Sequence, residues 1–364
     1  RGDRQGQSGT IGAHIGSARG KGRIRASGPL PPWGDMVPAA LAPRGEASAR
    51  SCGTDELSAC LGRRALRTAR RRWLAAHGVR AASAPRGAVS PPPGQLLQEA
   101  VLLYGQDRYP FVGAMASVLE EPAGADLGKL HEGRLGREIL ENFRRQPAML
   151  NLGPRGNPWH SRFHSCAKRD PEAFEAFTQL YHDFVRCFVL DNLETNAVAF
   201  QKQPTFRCHL PDCGAPGRPH RDEDYKHPCC ELNFWVPVTL VFDSNGLYAE
   251  SSRGAGDFRP FQVSVGSCVR FYGNQVWHYC APNETDTTRV SFDFRVIREE
   301  EWSPAAFGYP FQLGEYFSVM TREGLLPPNS VEMLELREAY QCALPFGSRL
   351  KMRDAGAREA DVSP

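Results

Sequence analysis

The stretch TRVSFDFRVI, Thr288–Ile297, decides the fold because polar and apolar residues alternate along it. Successive side chains of a β-strand point to opposite faces, so this alternation predicts a strand with one polar face and one apolar face. The polar face holds Arg289, Ser291, Asp293 and Arg295, and the apolar face holds Val290, Phe292, Phe294 and Val296. We expect the apolar face to pack against helices or a second sheet, and the polar face to line the mouth of a barrel.

Other short runs of β-branched and aromatic residues precede this strand. They are AVAFQ, ELNFWVPVT, FQVSVG and SCVRFYGN, separated by Gly, Pro, Asn and Asp, and they predict consecutive antiparallel strands over residues 196–297. An aromatic residue every three or four positions from Pro171 predicts an amphipathic helix before the strands, and a Ser cap predicts another over Ser330–Gln341. The predicted class is therefore mainly β with flanking helices, α+β, around a sandwich or jelly-roll core.

Composition divides the 364-residue chain into unequal parts. Residues 1–95 carry 16 Lys or Arg against 5 Asp or Glu and very few aromatic residues, so we expect a disordered basic segment. The run SPPPG, Ser90–Gly94, predicts the boundary of one main domain over residues 96–345, followed by a tail over residues 346–364. Because the remaining chain is net acidic, no nucleic-acid partner is expected.

The location of the protein depends on how the basic segment is interpreted. Residues 1–35 precede the first methionine, Met36, and are expected to be an artefact or an untranslated leader. Ala65–Ala84 is rich in Arg and Ala and free of acids, which is typical of an organellar transit peptide, although a solvated basic linker is the favoured alternative. We therefore expect a cytoplasmic protein, with an organelle as the second choice. No apolar run approaches 18 residues, so no membrane partner is expected, and 11 scattered cysteines indicate reduced thiols.

Several side chains of metal-binding type lie in PHRDEDYKHPCCELNFW, Pro219–Trp235. His220 and Asp222 are one residue apart, so on an extended strand both side chains project from the same face. His278, in GNQVWHYCAPN, supplies a third ligand after the predicted strand SCVRFYGN. Two imidazoles and one carboxylate on one face of an octahedral ion leave the opposite face open, as in non-haem Fe(II) oxygenases. The sequence therefore predicts a metal site.

Five motifs together resemble the Fe(II)/2-oxoglutarate-dependent oxygenase superfamily. They are the run Gln203, Pro204, Thr205 and Arg207; H-R-D-x-D-Y-x-H-P at His220–Pro228; E-L-N-F-W-V-P-V-T at Glu231–Thr239; Glu250-Ser251 followed by Gly256–Phe258; and T-R-V-S-F-D-F-R-V at Thr288–Val296. Within the superfamily the sequence is similar to a phytanoyl-CoA-dioxygenase-like bacterial branch that includes a streptomycin-biosynthesis protein. The resemblance covers roughly Asn192–Arg298, is weaker over the preceding helices and is absent from the first 95 residues.

This resemblance implies a double-stranded β-helix, a cupin-like jelly roll, with Fe(II) held by His220, Asp222 and His278. It further implies that Arg289 and Ser291 bind the distal carboxylate of 2-oxoglutarate, a co-substrate with O₂. The implied reaction oxidises a C–H bond and releases succinate and CO₂. The carboxylate of Asp222 favours hydroxylation, desaturation or ring formation, since related halogenases have a small residue in its place.

Further residues are candidates for binding the co-substrate or the substrate. Asn233 and Asn274 are expected to hydrogen-bond a ligating histidine or 2-oxoglutarate, although Asn274 fits a turn equally well. Four charged residues are candidate substrate contacts at the mouth, although loop charges are more often solvated: Arg207, Glu250, Arg253 and Asp257. We expect the substrate to be a small polar metabolite, and the oligomeric state stays open.

Two other functions compete with this interpretation. A structural zinc site is one, because several cysteines and histidines surround His220, namely Cys208, His209, Cys213, His227, Cys229 and Cys230. Their spacing argues against it, since there is no C-x-x-C and buried free cysteines account for most of these thiols. The other is a metal-free β-barrel binding protein. It would not require the five residues that are suited to binding a metal and a carboxylate, namely His220, Asp222, His278, Arg289 and Ser291.

Overall fold

The computed structural model describes residues 89–145, 157–214 and 218–340. Most of the basic segment and the tail over residues 346–364 lie outside the described residues, so the predictions made for them stay predictions. No helix among the described residues is long and apolar enough to cross a membrane.

Helices precede and follow the strands, as the sequence predicts. The helix that begins at Pro171 runs as α-helix to Asp183, continues as one π-helical segment over Phe184–Val189, and ends with Leu190–Leu193. The final helix is Val331–Tyr340. The remaining α-helices are Gly94–Leu97, Phe111–Val118, Arg134–Arg145 and Pro158–Arg169.

Ten strands form two antiparallel sheets in the described part of the chain. They are β1 Ala100–Leu103, β2 Ala197–Gln201, β3 Thr205–His209, β4 Leu232–Pro237, β5 Leu247–Ala249, β6 Arg259–Pro260, β7 Ser267–Phe271, β8 His278–Cys280, β9 Arg289–Arg298 and β10 Phe317–Thr321. The larger sheet has the order β1-β7-β4-β9-β2-β10, with β3 also paired to β9, and the smaller one has the order β6-β5-β8. The predicted mainly β class with flanking helices is confirmed.

Strand β9 lies at the centre of the larger sheet, and its two faces divide as the alternation predicts. It pairs with β4 on one side, and with β3 and then β2 on the other. On its apolar face, the ring of Phe292 packs 5.0 Å from that of Phe111 and 5.7 Å from that of Phe177, both on helices. The polar face is therefore left to face the interior site.

Two local expectations are wrong. FQVSVG, residues 261–266, does not form a regular strand. The short strand β6 that pairs with β5 ends just before it, at Pro260, and within the run Val263 makes a single bridge to Val241. Its alternation reflects burial of Phe261 and Val263 in a cluster with Trp235, which requires no hydrogen-bonded ladder. His220 and Asp222 do not share an extended strand either, because a 3-10 helix, Asp222–Tyr225, starts at the carboxylate.

Candidate metal centre

Backbone hydrogen bonds place His220, the first residue of the H-x-D motif, beside His278. His220 and His278 form an isolated antiparallel bridge, with N–H to O distances of 3.1 Å and 3.0 Å. The N–H of Asp222 donates to the carbonyl of Gly273 at 2.9 Å, which fixes the start of the 3-10 helix. Since Arg221 between them stays extended, the side chains of His220 and Asp222 still reach the same place.

The three side chains form a compact group with one ligand atom each. These atoms lie within 4.8 Å of one another, and no other group of three His, Cys, Asp or Glu side chains among the described residues meets this condition. Oδ1 of Asp222 lies 3.8 Å from Nε2 of His220 and 3.8 Å from Nε2 of His278. This spacing leaves room for one cation between the atoms.

Hydrogen bonds on the far side of each ring orient the histidines. Nδ1 of His220 lies 2.8 Å from the carbonyl oxygen of Arg218, and Nδ1 of His278 lies 3.1 Å from that of Val276. A carbonyl can only accept, so Nδ1 carries the proton and Nε2 presents a lone pair. Burial lowers the pKa of His278 to about 4, which keeps this ring neutral and able to bind a metal at neutral pH.

Asp222 is held as a charged, oriented carboxylate. Its Oδ2 accepts from Nδ2 of Asn233 at 2.7 Å and from Nε of Arg295 at 2.9 Å, while Nη2 of Arg295 donates to Oδ1 at 2.9 Å. Burial alone would raise the pKa of Asp222, but the Arg295 guanidinium, His278 and Asn233 together hold it well below its usual range. The oxygen Oδ1 faces the histidines, and Oδ2 is occupied by two donors.

Arg289, a buried arginine on β9, the strand that also carries Arg295, lacks an acidic partner among the described residues. Arg289 is 1% exposed, and no carboxylate among the described residues lies within ion-pair distance of it. Its two terminal nitrogens each lie 3.4 Å from Sγ of Cys280, while its Nε and the hydroxyl of Ser291 have no hydrogen-bond partner in the described part of the chain. A buried charge of this kind costs several kcal/mol unless an anion compensates it, so the pair is suited to a carboxylate.

The two histidines and Arg289 line one cavity, with an empty volume of about 550 Å³ counting its open mouth. The lining residues are Arg207, Arg218, His220, Asn233, Trp235, Leu247, Phe271, His278, Tyr279, Cys280, Arg289, Asp293 and Arg295. A metal ion and an anion bound there would therefore be neighbours.

The structure assigns the two asparagines different surroundings. Asn233 lines the cavity, and besides bonding Asp222 it accepts the N–H of Gly273 at 3.1 Å. Asn274 points elsewhere, because its amide donates to the carbonyls of His227 and Pro228. Of the two alternatives for Asn274, its contacts fit the turn residue.

Of the four candidate substrate contacts, the cavity includes one, Arg207. The carboxylate of Glu250 accepts backbone N–H groups of Gly254, Gly256 and Trp277 and so shapes its own loop. Asp257 accepts the N–H of Ser251, and the exposed Arg253 faces Glu223 at 3.8 Å. These three residues do not line the cavity.

The sequence motifs assign no role to Arg295 and Cys280. Arg295 lies on the polar face of β9 together with Arg289 and Ser291, so the alternation that found those two already pointed to it. Cys280 follows His278 by two residues on β8 and therefore faces the same side. The zinc alternative finds no support, since no cysteine belongs to the described metal-binding group.

No family model matches the chain. It is 33% identical over 192 residues to the "Streptomycin biosynthesis protein StrG" of Streptomyces griseus, an alignment that covers 51% of this chain and 88% of StrG. The predicted likeness to a branch with a streptomycin-biosynthesis protein is thus confirmed.

Among solved structures, the nickel complex of the non-heme monooxygenase ThoJ is 14% identical with a TM-score of 0.31, covering 72% of this chain and 94% of ThoJ. CytC3 with Fe(II) and alpha-ketoglutarate is 12% identical with a TM-score of 0.33, covering 58% of this chain and 79% of CytC3. At these values the structural likenesses carry no weight for the function of this chain.

Proposed function

The chain belongs to the family of the streptomycin biosynthesis protein StrG, and from this premise we propose that it is an Fe(II)- and 2-oxoglutarate-dependent oxygenase acting on a small polar metabolite. One observation carries the proposal. Two histidines of a compact His-Asp-His group, His220 and His278, line the same cavity as Arg289, a buried arginine that lacks an acidic partner among the described residues. This combination suits a metal together with a dicarboxylate that chelates the metal at one end.

The protein groups have separate roles in this proposal. Nε2 of His220, Nε2 of His278 and Oδ1 of Asp222 would hold the cation on one face. Arg289 and the hydroxyl of Ser291 would bind the distal carboxylate of 2-oxoglutarate, which satisfies their unpaired atoms. When bound, Fe(II) and 2-oxoglutarate activate O₂, so that oxidation of a C–H bond is coupled to release of succinate and CO₂.

Other residues keep this arrangement in place. Asn233 and Arg295 occupy Oδ2 of Asp222, so the carboxylate would offer the metal a single oxygen. Trp235 and Phe271 form apolar walls of the cavity and exclude water from part of it. The double-stranded β-helix core belongs to the same proposal and is supported by the two antiparallel sheets that surround the site.

Alkylation of Cys280 tests co-substrate binding without relying on turnover. The thiol lines the cavity and lies against Arg289, so a carboxylate bound to that guanidinium should shield it from iodoacetamide. With Mn(II) in place of Fe(II) and 2-oxoglutarate about tenfold above its Kd, we expect roughly tenfold slower labelling of Cys280 by mass spectrometry.

Cys187 serves as the internal control, because it is a half-buried thiol outside the cavity and should be labelled at an unchanged rate. Arg289→Gln should remove the protection of Cys280. Equal labelling of Cys280 with and without 2-oxoglutarate would show that the co-substrate does not bind beside Arg289.

A further inference from the structure

The side chains of two arginines at the cavity mouth have no role in binding the metal or the co-substrate. Arg207 lies on β3 directly opposite Ser291 of β9, so it is one strand away from the expected carboxylate site. Arg218 lies two residues before His220 and supplies the carbonyl that accepts from its ring. Both side chains line the cavity and reach solvent, at the point where a substrate must enter.

The carboxylates near these two arginines do not fully balance their positive charge. Asp293 is the carboxylate that lines the cavity, and it lies 4.0 Å from Nε of Arg207, at the limit of an ion pair. The same carboxylate also lies 3.8 Å from Arg295, so Arg207 shares it. Arg218 has a tyrosine hydroxyl, that of Tyr225, at 3.4 Å from Nε, and no ion pair among the described residues.

Arg207 also acts on two nearby histidines. Burial lowers the pKa of His160 to about 4, with Arg207 as the second cause and Arg289 also contributing. Burial and then Arg207 also lower the pKa of His164. When a bound carboxylate balances the charge of Arg289, the positive charges of Arg207 and Arg218 remain at the cavity mouth.

We propose that the substrate carries an acidic oxygen group, a phosphate monoester or a carboxylate, which Arg207 and Arg218 bind while the rest of the molecule lies over the metal. Forked N–H donors from two guanidinium groups match the oxygens of such anions. This inference rests on the proposed function, because it takes Arg289 to be occupied by the co-substrate. It narrows the substrate from a polar metabolite to an anionic one.

Three ligands with the same sugar ring test the charge requirement: glucose 6-phosphate, glucuronate and glucose. Binding to the full chain with Co(II) and 2-oxoglutarate is measured by calorimetry, so no turnover is needed. We expect at least one of the two anions to bind about tenfold or more tightly than glucose, with an affinity that falls as salt rises. Whichever anion binds more tightly distinguishes a phosphate from a carboxylate group.

Variants locate the binding site. Arg207→Gln and Arg218→Gln should each weaken anion binding roughly tenfold and leave the weak binding of glucose unchanged. Arg108→Gln is the matched control, because Arg108 is also exposed and beside a tyrosine ring but does not line the cavity, and it should bind the anions like the wild type.

Binding of glucose as tightly as both anions, no binding of either anion at millimolar concentration, or undiminished anion binding in both variants would each overturn this inference. The proposed function is monitored separately, by Cys280 protection in the same preparation. If that protection is seen while the anions fail to bind, only the substrate class is wrong. If protection is absent, the proposed function fails, and with it the premise of the inference.

Discussion

At the scale of single residues, the contacts of Asp222 decide what the site can do. Arg295 donates to both of its oxygens, and Asn233 donates to one of them, so the carboxylate cannot turn freely. Partners that orient a metal ligand typically contribute tenfold to a hundredfold in metal affinity. In the proposed function Arg295 is therefore a positioning residue, since it would act on the metal through Asp222.

The first prediction concerns this arginine. Replacement of Arg295 by methionine should weaken Co(II) binding by about tenfold or more, because Asp222 then loses two of its three orienting hydrogen bonds and keeps only the one from Asn233. The visible spectrum of bound Co(II) should also change, since a carboxylate held by Asn233 alone can turn relative to the metal. Arg298→Met, on the same strand but paired with Glu300 and Glu301, should leave both readouts unchanged. An unaltered spectrum and affinity in Arg295→Met would contradict the positioning role.

The second prediction concerns Arg289. Arg289→Gln should raise the KM for 2-oxoglutarate roughly a hundredfold, as expected when one partner of a buried charge pair is removed, a loss of about 2–5 kcal/mol. Because Asp222 and the histidines are untouched, kcat at saturating 2-oxoglutarate should fall far less. Asp222→Ala should instead abolish turnover and weaken metal binding. Steady-state assays of succinate formation separate the two patterns, and an unchanged KM in Arg289→Gln would refute the carboxylate assignment.

At the scale of secondary-structure elements, one histidine ties a helix to the sheet next to the site. His160, on the helix Pro158–Arg169, accepts the N–H of Cys208 on β3 through Nε2, at 3.2 Å. A protonated ring could not accept this hydrogen bond. The low pKa of His160, near 4 and caused first by burial, is consistent with a neutral ring.

The third prediction concerns the pH dependence that this shift produces. Because the pKa in the folded protein lies below the unfolded value of about 6.5, the stabilisation is complete above pH 6.5 and is lost as pH falls towards 4. Urea unfolding should therefore show the wild type losing about 1–3 kcal/mol more than His160→Gln between pH 7 and pH 4. Glutamine cannot titrate but can still accept through its carbonyl oxygen. Parallel pH profiles for the two proteins would contradict the lowered pKa of His160, because a group with the same pKa in the folded and unfolded states adds no pH dependence to stability.

The fourth prediction tests the packing of β9 against the helices. Phe292 is fully buried between Phe111 and Phe177, so Phe292→Ala should lower the free energy of unfolding by about 3–5 kcal/mol. Val101→Ala, on β1 but 52% exposed, should change it by less than about 0.5 kcal/mol. Chemical denaturation measures both, and similar values for the two variants would contradict the assigned faces of β9.

At the scale of the whole molecule, the sequence predicts those strands and helices whose side chains repeat with a clear period along the chain. The strict alternation of β9 gave the correct face for Arg289 and Ser291, and the helix from Pro171 follows its aromatic spacing. Strands β1 and β10 were missed because neither alternates between polar and apolar residues, and both lie outside residues 196–297, where the sequence predicts strands. Strands β5, β6 and β8 were not named either, because two or three residues are too few to show a period.

Contacts between distant residues could not be predicted in this way. The pairing of Asp222 with Arg295 joins residues 73 positions apart, and neither segment alone indicates the other. The loop contacts of Glu250 and Asp257 likewise depend on backbone N–H groups, whose direction the sequence does not reveal. The residues of the candidate metal site were predictable from motif and resemblance, and the alternation of β9 placed Arg295 on the polar face, whereas its hydrogen bonds to Asp222 required the structure.

The most direct test of the central claim is an anaerobic titration of the full-length, metal-free protein with Fe(II) and 2-oxoglutarate, followed by visible absorption. We expect a weak charge-transfer band that appears only when both are present and is absent in His278→Ala. A wild-type protein that binds Fe(II) tightly without any such band, or a band that persists in His278→Ala, would contradict a facial site built from His220, Asp222 and His278.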